Sequence, residues 1–158
     1  MQRIILALTL VLATFMTLLV FSTERFEPIN GLYVFGDSLS DVGTVFRATG
    51  GMYPPPTYFQ GRYSNGRVWV EYLADRLRLS SNPTNNFAVG GATTGSDRNT
   101  LVPGLLTQVQ SFNKTHHQPL QNALYVLWAG ANDYLQGASS ATVPVENVTR
   151  AKIGRAHV

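Results

Sequence analysis

Hydroxyl and carboxylate side chains are concentrated in one short segment, YVFGDSLSD, which runs from Tyr33 to Asp41. Side chains of this kind can provide nucleophilic or acid–base chemistry when they line a turn that substrate can reach. Serine and aspartate also collect at helix starts, because their oxygens accept hydrogen bonds from unpaired backbone N–H groups. The segment by itself is therefore compatible with a catalytic turn and with a simple turn and helix cap.

Short apolar runs and amphipathic segments alternate around this turn. Apolar strands are predicted at Leu32 to Phe35, within NNFAVGGATTG and at Ala123 to Trp128. Between them, two segments carry apolar residues at spacings of three and four, which predicts amphipathic helices. Pro103 is expected as an early residue of the second helix. The predicted apolar positions are Trp69, Tyr72, Leu73 and Leu77 in the first helix, and Leu105, Leu106, Val109 and Phe112 in the second.

Strands that are apolar throughout and separated by such helices predict an α/β fold, in which helices cover both faces of a parallel sheet. Ligands of these sheets bind beyond the carboxyl ends of the strands. Polar glycine turns follow the predicted strands at Gly36, at Gly90 and Gly91, and at Gly130. We therefore expect three turns to meet at one rim of the sheet.

The composition is that of one globular domain, with 158 residues, 44% hydrophobic and 13% charged. The net charge is +3, but no basic stripe interleaved with aromatics is present, so a nucleic-acid partner is not expected. The absence of cysteine excludes disulfides, thiolate metal sites and a cysteine nucleophile. Neither a Walker A segment nor metal-ligand spacing occurs, so we predict catalysis without a metal or cofactor.

The N-terminal segment contains Arg3 followed by an uncharged apolar run over residues 4–21. This pattern predicts an export signal within residues 1–23, and hence a secreted or periplasmic protein. The run approaches the length of a membrane span, so an uncleaved anchor that contacts the membrane is the alternative.

Three motifs in order, FGDSLSD, NFAVGGA and GAND, resemble blocks I, II and III of the GDSL, or SGNH, family of serine esterases and lipases. The intervening GRYSNGRVWVEYLA is similar to the extracellular lipase and phospholipase branch of that family. The resemblance implies a three-layer α/β/α, flavodoxin-like domain over residues 29–151. It also implies hydrolysis of lipid or short-chain acyl esters through an acyl-serine intermediate.

Carried over to this sequence, the resemblance makes Ser38 the nucleophile, with its own N–H as an oxyanion donor. A glycine N–H from the Gly90–Gly91 pair and the side-chain amide of Asn132 would be the other donors. Counting from Asn86 favours Gly91, although Gly90 stays open. The positive end of the helix after Ser38 would favour negative charge there.

The neighbouring polar residues are expected to support the turns. Ser40 is a rival hydroxyl that the motif places at the helix start, where a cap role is expected. Asp37 and Asp41 are expected to hold or cap the turn. Tyr63, Ser64 and Asn65 are expected to build a loop, and the alternative is that they shape the substrate cleft. For Asn132 and Asp133, a simple Asx turn is the structural alternative.

The family's D-x-x-H block, which contains the acid and base of the triad, is absent from this sequence. No aspartate stands three residues before His116, His117 or His157. Residues 153–158 can be back-translated into a sequencing-library adapter, so we predict a non-native tail over residues 152–158 and a C-terminally incomplete domain. A non-catalytic exported binding protein with this fold is the alternative function.

Overall fold

A parallel sheet forms the centre of the described part of the chain. The computed structural model describes residues 28–79, 85–96, 101–116, 118, 120–151 and 153. Strand β1 (Gly31–Gly36) pairs in parallel with β2 (Ala123–Trp128), with Gly31 opposite Ala123 and Gly36 opposite Trp128. The parallel sheet predicted from the apolar runs is confirmed.

The segment 86–89 pairs with the other edge of β1. A parallel bridge joins Val34 to Asn86, and the N–H groups of Phe87 and Val89 donate to the carbonyls of Val34 at 2.7 Å and Gly36 at 3.1 Å. The brief strand predicted in NNFAVGGATTG is therefore strand-like, and β1 lies between it and β2. The carboxyl ends of all three segments lead into glycine turns at one rim.

Helices lie between these strands and after β2. In the described ranges they are α1 (Thr44–Ala48), α2 (Trp69–Arg76), α3 (Leu105–Thr115), α4 (Ala131–Leu135) and α5 (Thr142–Arg150), and Phe59–Gly61 forms a 3-10 turn. No helix within these described ranges is both long enough and apolar enough to cross a membrane. The predicted signal or anchor of residues 1–23 lies outside the described residues.

The core occupies both faces of β1, because successive strand side chains point to opposite faces. On one face, Phe35 packs against Leu105 and Phe112 of α3, in a cluster that also contains Tyr33 and Val109. On the other face, Val34 packs with Val42, Val68 and Val70. Helices therefore cover β1 from both sides, as predicted.

Two local predictions about the helices are wrong. Helix α2 buries Val70 and Ala74, whereas Tyr72 of the predicted apolar face is 53% exposed. The Tyr72 ring instead lies under the Arg67 guanidinium, whose Cζ is 5.0 Å from the ring centroid. The face of an aromatic ring attracts a cation at such a distance. Pro103 precedes the N-cap residue Gly104 and so lies outside α3.

Candidate active site

Ser38 lies at the tip of the turn that follows β1. The turn closes through the Ser40 N–H, which donates to the Asp37 carbonyl at 3.1 Å. Ser38 is partly exposed, and within the described residues neither its hydroxyl nor its N–H forms a hydrogen bond. Both groups are thus available to a reacting molecule.

Asp37 holds this turn from inside the protein. Its Oδ1 accepts the Leu39 N–H at 3.0 Å, while its buried Oδ2 has no hydrogen-bond partner among the described residues. Burial raises the pKa of Asp37, and the nearby Asp133 carboxylate raises it further against the opposing effect of the Leu39 hydrogen bond. The ionised form of Asp37 is therefore disfavoured in the folded protein.

Asp41 joins the first motif to the second. Its Oδ1 accepts the N–H groups of Gly43 at 2.8 Å and Thr44 at 2.5 Å. Its Oδ2 accepts those of Gly90 at 2.8 Å and Val45 at 3.3 Å. The side chain is fully buried, so one carboxylate serves both the start of α1 and the glycine turn of the second motif.

Ser40, the rival hydroxyl, is fully buried and does not cap a helix. Its Oγ accepts the Trp69 Nε1–H at 3.2 Å, and its carbonyl accepts the Asn86 amide at 2.8 Å. The predicted cap role is wrong because α1 begins only at Thr44 and its first N–H groups bind Asp41. The first N–H groups of this helix are therefore occupied by the Asp41 carboxylate.

The two glycines of the second motif differ in their surroundings. The Gly90 N–H is bound to Asp41, and a Cβ on Gly90 would lie 2.3 Å from the ring of Tyr63. Gly91 has φ +88°, a left-handed conformation that favours glycine, and its N–H has no partner among the described residues. Of the pair, only the Gly91 N–H is without a partner among the described residues.

Asn132 and Asp133 bind the second motif to the third. The Asn132 Nδ2 donates to the Ala92 carbonyl at 2.9 Å, which leaves its second amide hydrogen without an assigned acceptor. Asp133 accepts both the N–H of Thr94, at 2.9 Å, and its hydroxyl, at 2.5 Å. Both residues lie in α4 with long-range partners, so the simple Asx turn does not describe them.

The loop that contains Tyr53, Tyr58 and Tyr63 borders the glycine turn, where the Tyr63 ring lies against Gly90. Burial raises the pKa of Tyr63 to about 12, with a further contribution from the Asp41 carboxylate. The Tyr63 ring contacts those of Tyr53 and Tyr58, each with centroids 6.0 Å apart. Ser64 accepts hydrogen bonds within this loop, from Gly66 at its hydroxyl and Phe59 at its carbonyl.

His116 lies away from Ser38. Its ring stacks on Phe112 at 4.2 Å and meets Tyr33 edge-on, toward the start of β1, whereas Ser38 follows the other end of that strand. His117 and His157 lie outside the described residues. Among the residues that are described, no three His, Cys, Asp or Glu side chains are grouped to hold a metal ion.

A cavity of about 420 Å³ lies on the opposite face of β1 from α3. Leu32, Val34 and Val70 provide apolar lining, and the Arg62–Glu71 ion pair, at 2.7 Å, lies in its wall. None of the predicted site residues lines this cavity.

The sequence interpretation missed Gln108 and Thr94, which are both buried and hydrogen-bonded to the site loops. Gln108 gave a signal, because it stands three residues after Leu105 and four before Phe112, on the predicted apolar face of a helix. A polar side chain on such a face needs a buried partner.

Comparison with known proteins identifies relatives of this chain. Residues 32–152 match the family model described as GDSL-like Lipase/Acylhydrolase. The chain is 37% identical over 115 residues to the thermolabile hemolysin of Vibrio parahaemolyticus, an alignment of 69% of this chain and 26% of that protein. It is 35% identical to the phosphatidylcholine-sterol acyltransferase of Aeromonas hydrophila, over 66% of this chain and 32% of the relative.

A third relative is the secreted effector protein SseJ of Salmonella typhimurium, which is 36% identical over 68% of this chain and 26% of its own length. The chain thus spans between 26% and 32% of these three curated relatives.

Proposed function

Because the chain belongs to the GDSL-like lipase/acylhydrolase family, we propose that the complete gene product carrying it hydrolyses carboxylic esters through an acyl intermediate on Ser38. The observation that carries this proposal is the position of Ser38. Ser38 is partly exposed at the rim of the sheet, and its hydroxyl has no hydrogen-bond partner among the described residues. The same holds for the Gly91 N–H, in the glycine turn that Asp41 joins to the first motif.

In the first step, the Ser38 Oγ attacks the ester carbonyl carbon and its proton passes to a general base. The carbonyl π electrons move onto the oxygen, which becomes an oxyanion. Donors preorganised around such an oxygen account for a large part of catalysis in acyl transfer. We assign the Ser38 N–H, the Gly91 N–H and the second Asn132 amide hydrogen to this role.

Support for these donors comes from their neighbours. Gly90 is unsuited to the role because its N–H binds Asp41 at 2.8 Å. The Asn132 side chain is held by the Ala92 carbonyl, one residue beyond Gly91, so its orientation is coupled to the glycine loop. Asp37 and Asp41 hold the loops and take no part in bond making.

Collapse of the tetrahedral intermediate breaks the bond to the alcohol, which leaves with the proton from the base. Water then attacks the carbonyl carbon of the acyl-Ser38 ester and gives a proton to the same base. The bond to the Ser38 Oγ breaks, Ser38 takes that proton back from the base, and the acid is released. His116 is not suited to be that base, because it lies toward the far end of β1. We infer that a histidine outside the described residues takes this role, since a serine hydroxyl needs an adjacent base.

Ser38→Ala in the complete gene product tests the function. Hydrolysis of a short-chain p-nitrophenyl ester should be lost, because the variant has no oxygen to form the acyl intermediate. Ser64→Ala is the matched control, since it removes a partly exposed hydroxyl from the neighbouring loop. Full turnover by Ser38→Ala, equal to that of an active Ser64→Ala, would exclude the mechanism. No turnover above background in the wild type and in both variants would favour a non-catalytic binding protein.

For the substrate class, we propose acyl esters that include lipids, a choice supported by the relative named as a phosphatidylcholine-sterol acyltransferase. Release of fatty acid from phosphatidylcholine vesicles, compared with hydrolysis of the p-nitrophenyl ester, separates lipid from short-chain specificity. Ser38→Ala must abolish whichever activity is found.

We also propose export through residues 1–23, supported by the apolar run at 4–21 and by a relative named as a secreted effector. Mass spectrometry of the protein from the culture supernatant tests this. A product that retains residues 4–21 in the membrane fraction would indicate an anchor instead.

A further inference from the structure

Gln108 is a buried amide on the otherwise apolar face of α3. Its side chain is enclosed in the same helix face as Leu105 and Phe112, and the residue is 3% exposed. A buried amide is costly unless its donors and acceptor are paired. The partners of Gln108 therefore indicate why the residue is accommodated there.

The Gln108 amide binds the peptide groups of Gly36 in both directions. Its Oε1 accepts the Gly36 N–H at 2.9 Å, and its Nε2 donates to the Gly36 carbonyl at 2.9 Å. Nε2 also donates to the Pro103 carbonyl at 3.0 Å. The amide thus provides the acceptor of the Gly36 N–H where β1 ends, and it shares the Gly36 carbonyl with the Val89 N–H, which donates at 3.1 Å.

Gly36 is enclosed from the other side as well. A Cβ at this position would lie 2.2 Å from the Trp128 carbonyl oxygen of β2. The Gly36 peptide is therefore held between β2 and Gln108, two residues before Ser38. A shift of Gly36 would move the turn that carries the Ser38 hydroxyl and N–H.

The first turn of α3 also holds the glycine loop. The N–H of Leu105 donates to the Thr93 carbonyl at 2.9 Å, and that of Leu106 donates to the Gly95 carbonyl at 3.1 Å. One helical turn therefore contacts both the strand before Ser38 and the loop after Gly91.

We propose that Gln108 is a positioning residue, whose amide fixes the Gly36 peptide and so sets the place of Ser38 relative to the Gly91 N–H. This inference rests on the ester hydrolysis proposed above. It assigns Gln108 no contact with substrate.

Gln108→Met in the complete gene product tests the role, because methionine has similar length but no amide. We expect kcat for the p-nitrophenyl ester to fall about 10- to 100-fold, with KM within about twofold, since small misplacements of reacting groups carry such costs. Gln110→Met makes the same change on the exposed side of α3 and should leave kcat unchanged. Equal kcat in the two folded variants would overturn the proposal.

Gln108→Glu adds a readout that a purely structural role would not move. When protonated, the introduced carboxyl can accept from the Gly36 N–H and donate to the Gly36 carbonyl, but the ionised form cannot donate. The ratio of its kcat to that of the wild type should therefore rise as the pH falls. The carboxyl groups of Asp37, Asp41 and Asp133 are present in both proteins, so the ratio removes their common contribution. A ratio independent of pH would contradict the proposal.

Hydrogen exchange of the Gly36 amide tests the contact without reference to catalysis. Exchange should be faster in Gln108→Met than in Gln110→Met, because only the first variant loses the acceptor at 2.9 Å. Unchanged Gly36 protection would overturn the Gln108 proposal even if hydrolysis depends on Ser38. Failure of the proposed function would appear separately, as activity that survives Ser38→Ala.

Discussion

Asp41→Ala should destabilise the protein strongly, because this carboxylate is the shared acceptor of two loops. It accepts four backbone N–H groups, and its bonds to Gly43 and Gly90, both 2.8 Å, are buried. The N–H groups of Thr44 and Val45 are only partly buried, so water can replace the carboxylate there. The main cost therefore comes from Gly43 and Gly90.

Each buried donor left without an acceptor costs about 1–3 kcal/mol. We therefore expect Asp41→Ala to lower the free energy of unfolding by about 2–6 kcal/mol, a large part of the stability of a typical domain. Asp41→Asn keeps one carbonyl oxygen as an acceptor and should cost less.

Urea unfolding of the complete gene product, monitored by circular dichroism, measures this difference. Asp75→Ala is the control, because it removes an aspartate that is 53% exposed and pairs with Arg67 at 2.8 Å on the surface. Such surface pairs contribute little to stability, so this variant should unfold like the wild type. A loss below about 1 kcal/mol for Asp41→Ala would refute the assignment of Asp41 as the acceptor that joins the loops.

Three further predictions concern charge and space. Burial alone would raise the pKa of Glu71, but the hydrogen-bonded ion pair with Arg62 holds it below its ordinary value of 4.5. This stabilisation is present above that value and is lost as the pH falls through the folded-state pKa, so Glu71→Gln should lower the melting temperature at pH 7 and have little effect once the pH is below that folded-state pKa. Burial raises the pKa of Asp37 above 3.8, so its ionised form destabilises the folded state at neutral pH. Asp37→Asn should therefore raise the melting temperature at pH 7, and a gain that does not shrink as the pH falls toward 3.8 would contradict this reasoning. Gly36→Ala should prevent accumulation of soluble folded protein, because its Cβ would lie 2.2 Å from a backbone oxygen of β2, whereas Gly66→Ala, with nothing within 4 Å, should express normally.

The sequence predicted the strands well because their signal is local. The apolar runs at Leu32 to Phe35 and Ala123 to Trp128 coincide with β1 and β2, and the glycines after them mark where each strand ends. The helix of residues 105–115 was also predicted from its spacing. The buried face of α2 was not, since Tyr72 stands at the spacing of the apolar face but is exposed, with its ring under the Arg67 guanidinium.

By itself, the sequence determined the family motifs, the parallel α/β architecture and the candidate residues Ser38, Gly90, Gly91 and Asn132. These depend on residue type and on short-range spacing. It left Gly90 and Gly91 both open as oxyanion donors, and only the tertiary structure shows that their surroundings differ, because Asp41 binds the Gly90 N–H from 49 residues away. The Gln108 contact with Gly36, across 72 residues, was decided in the same way. Hydrogen bonds of this kind depend on which side chains the packed sheet and helices bring together, and periodicity along the chain does not encode that.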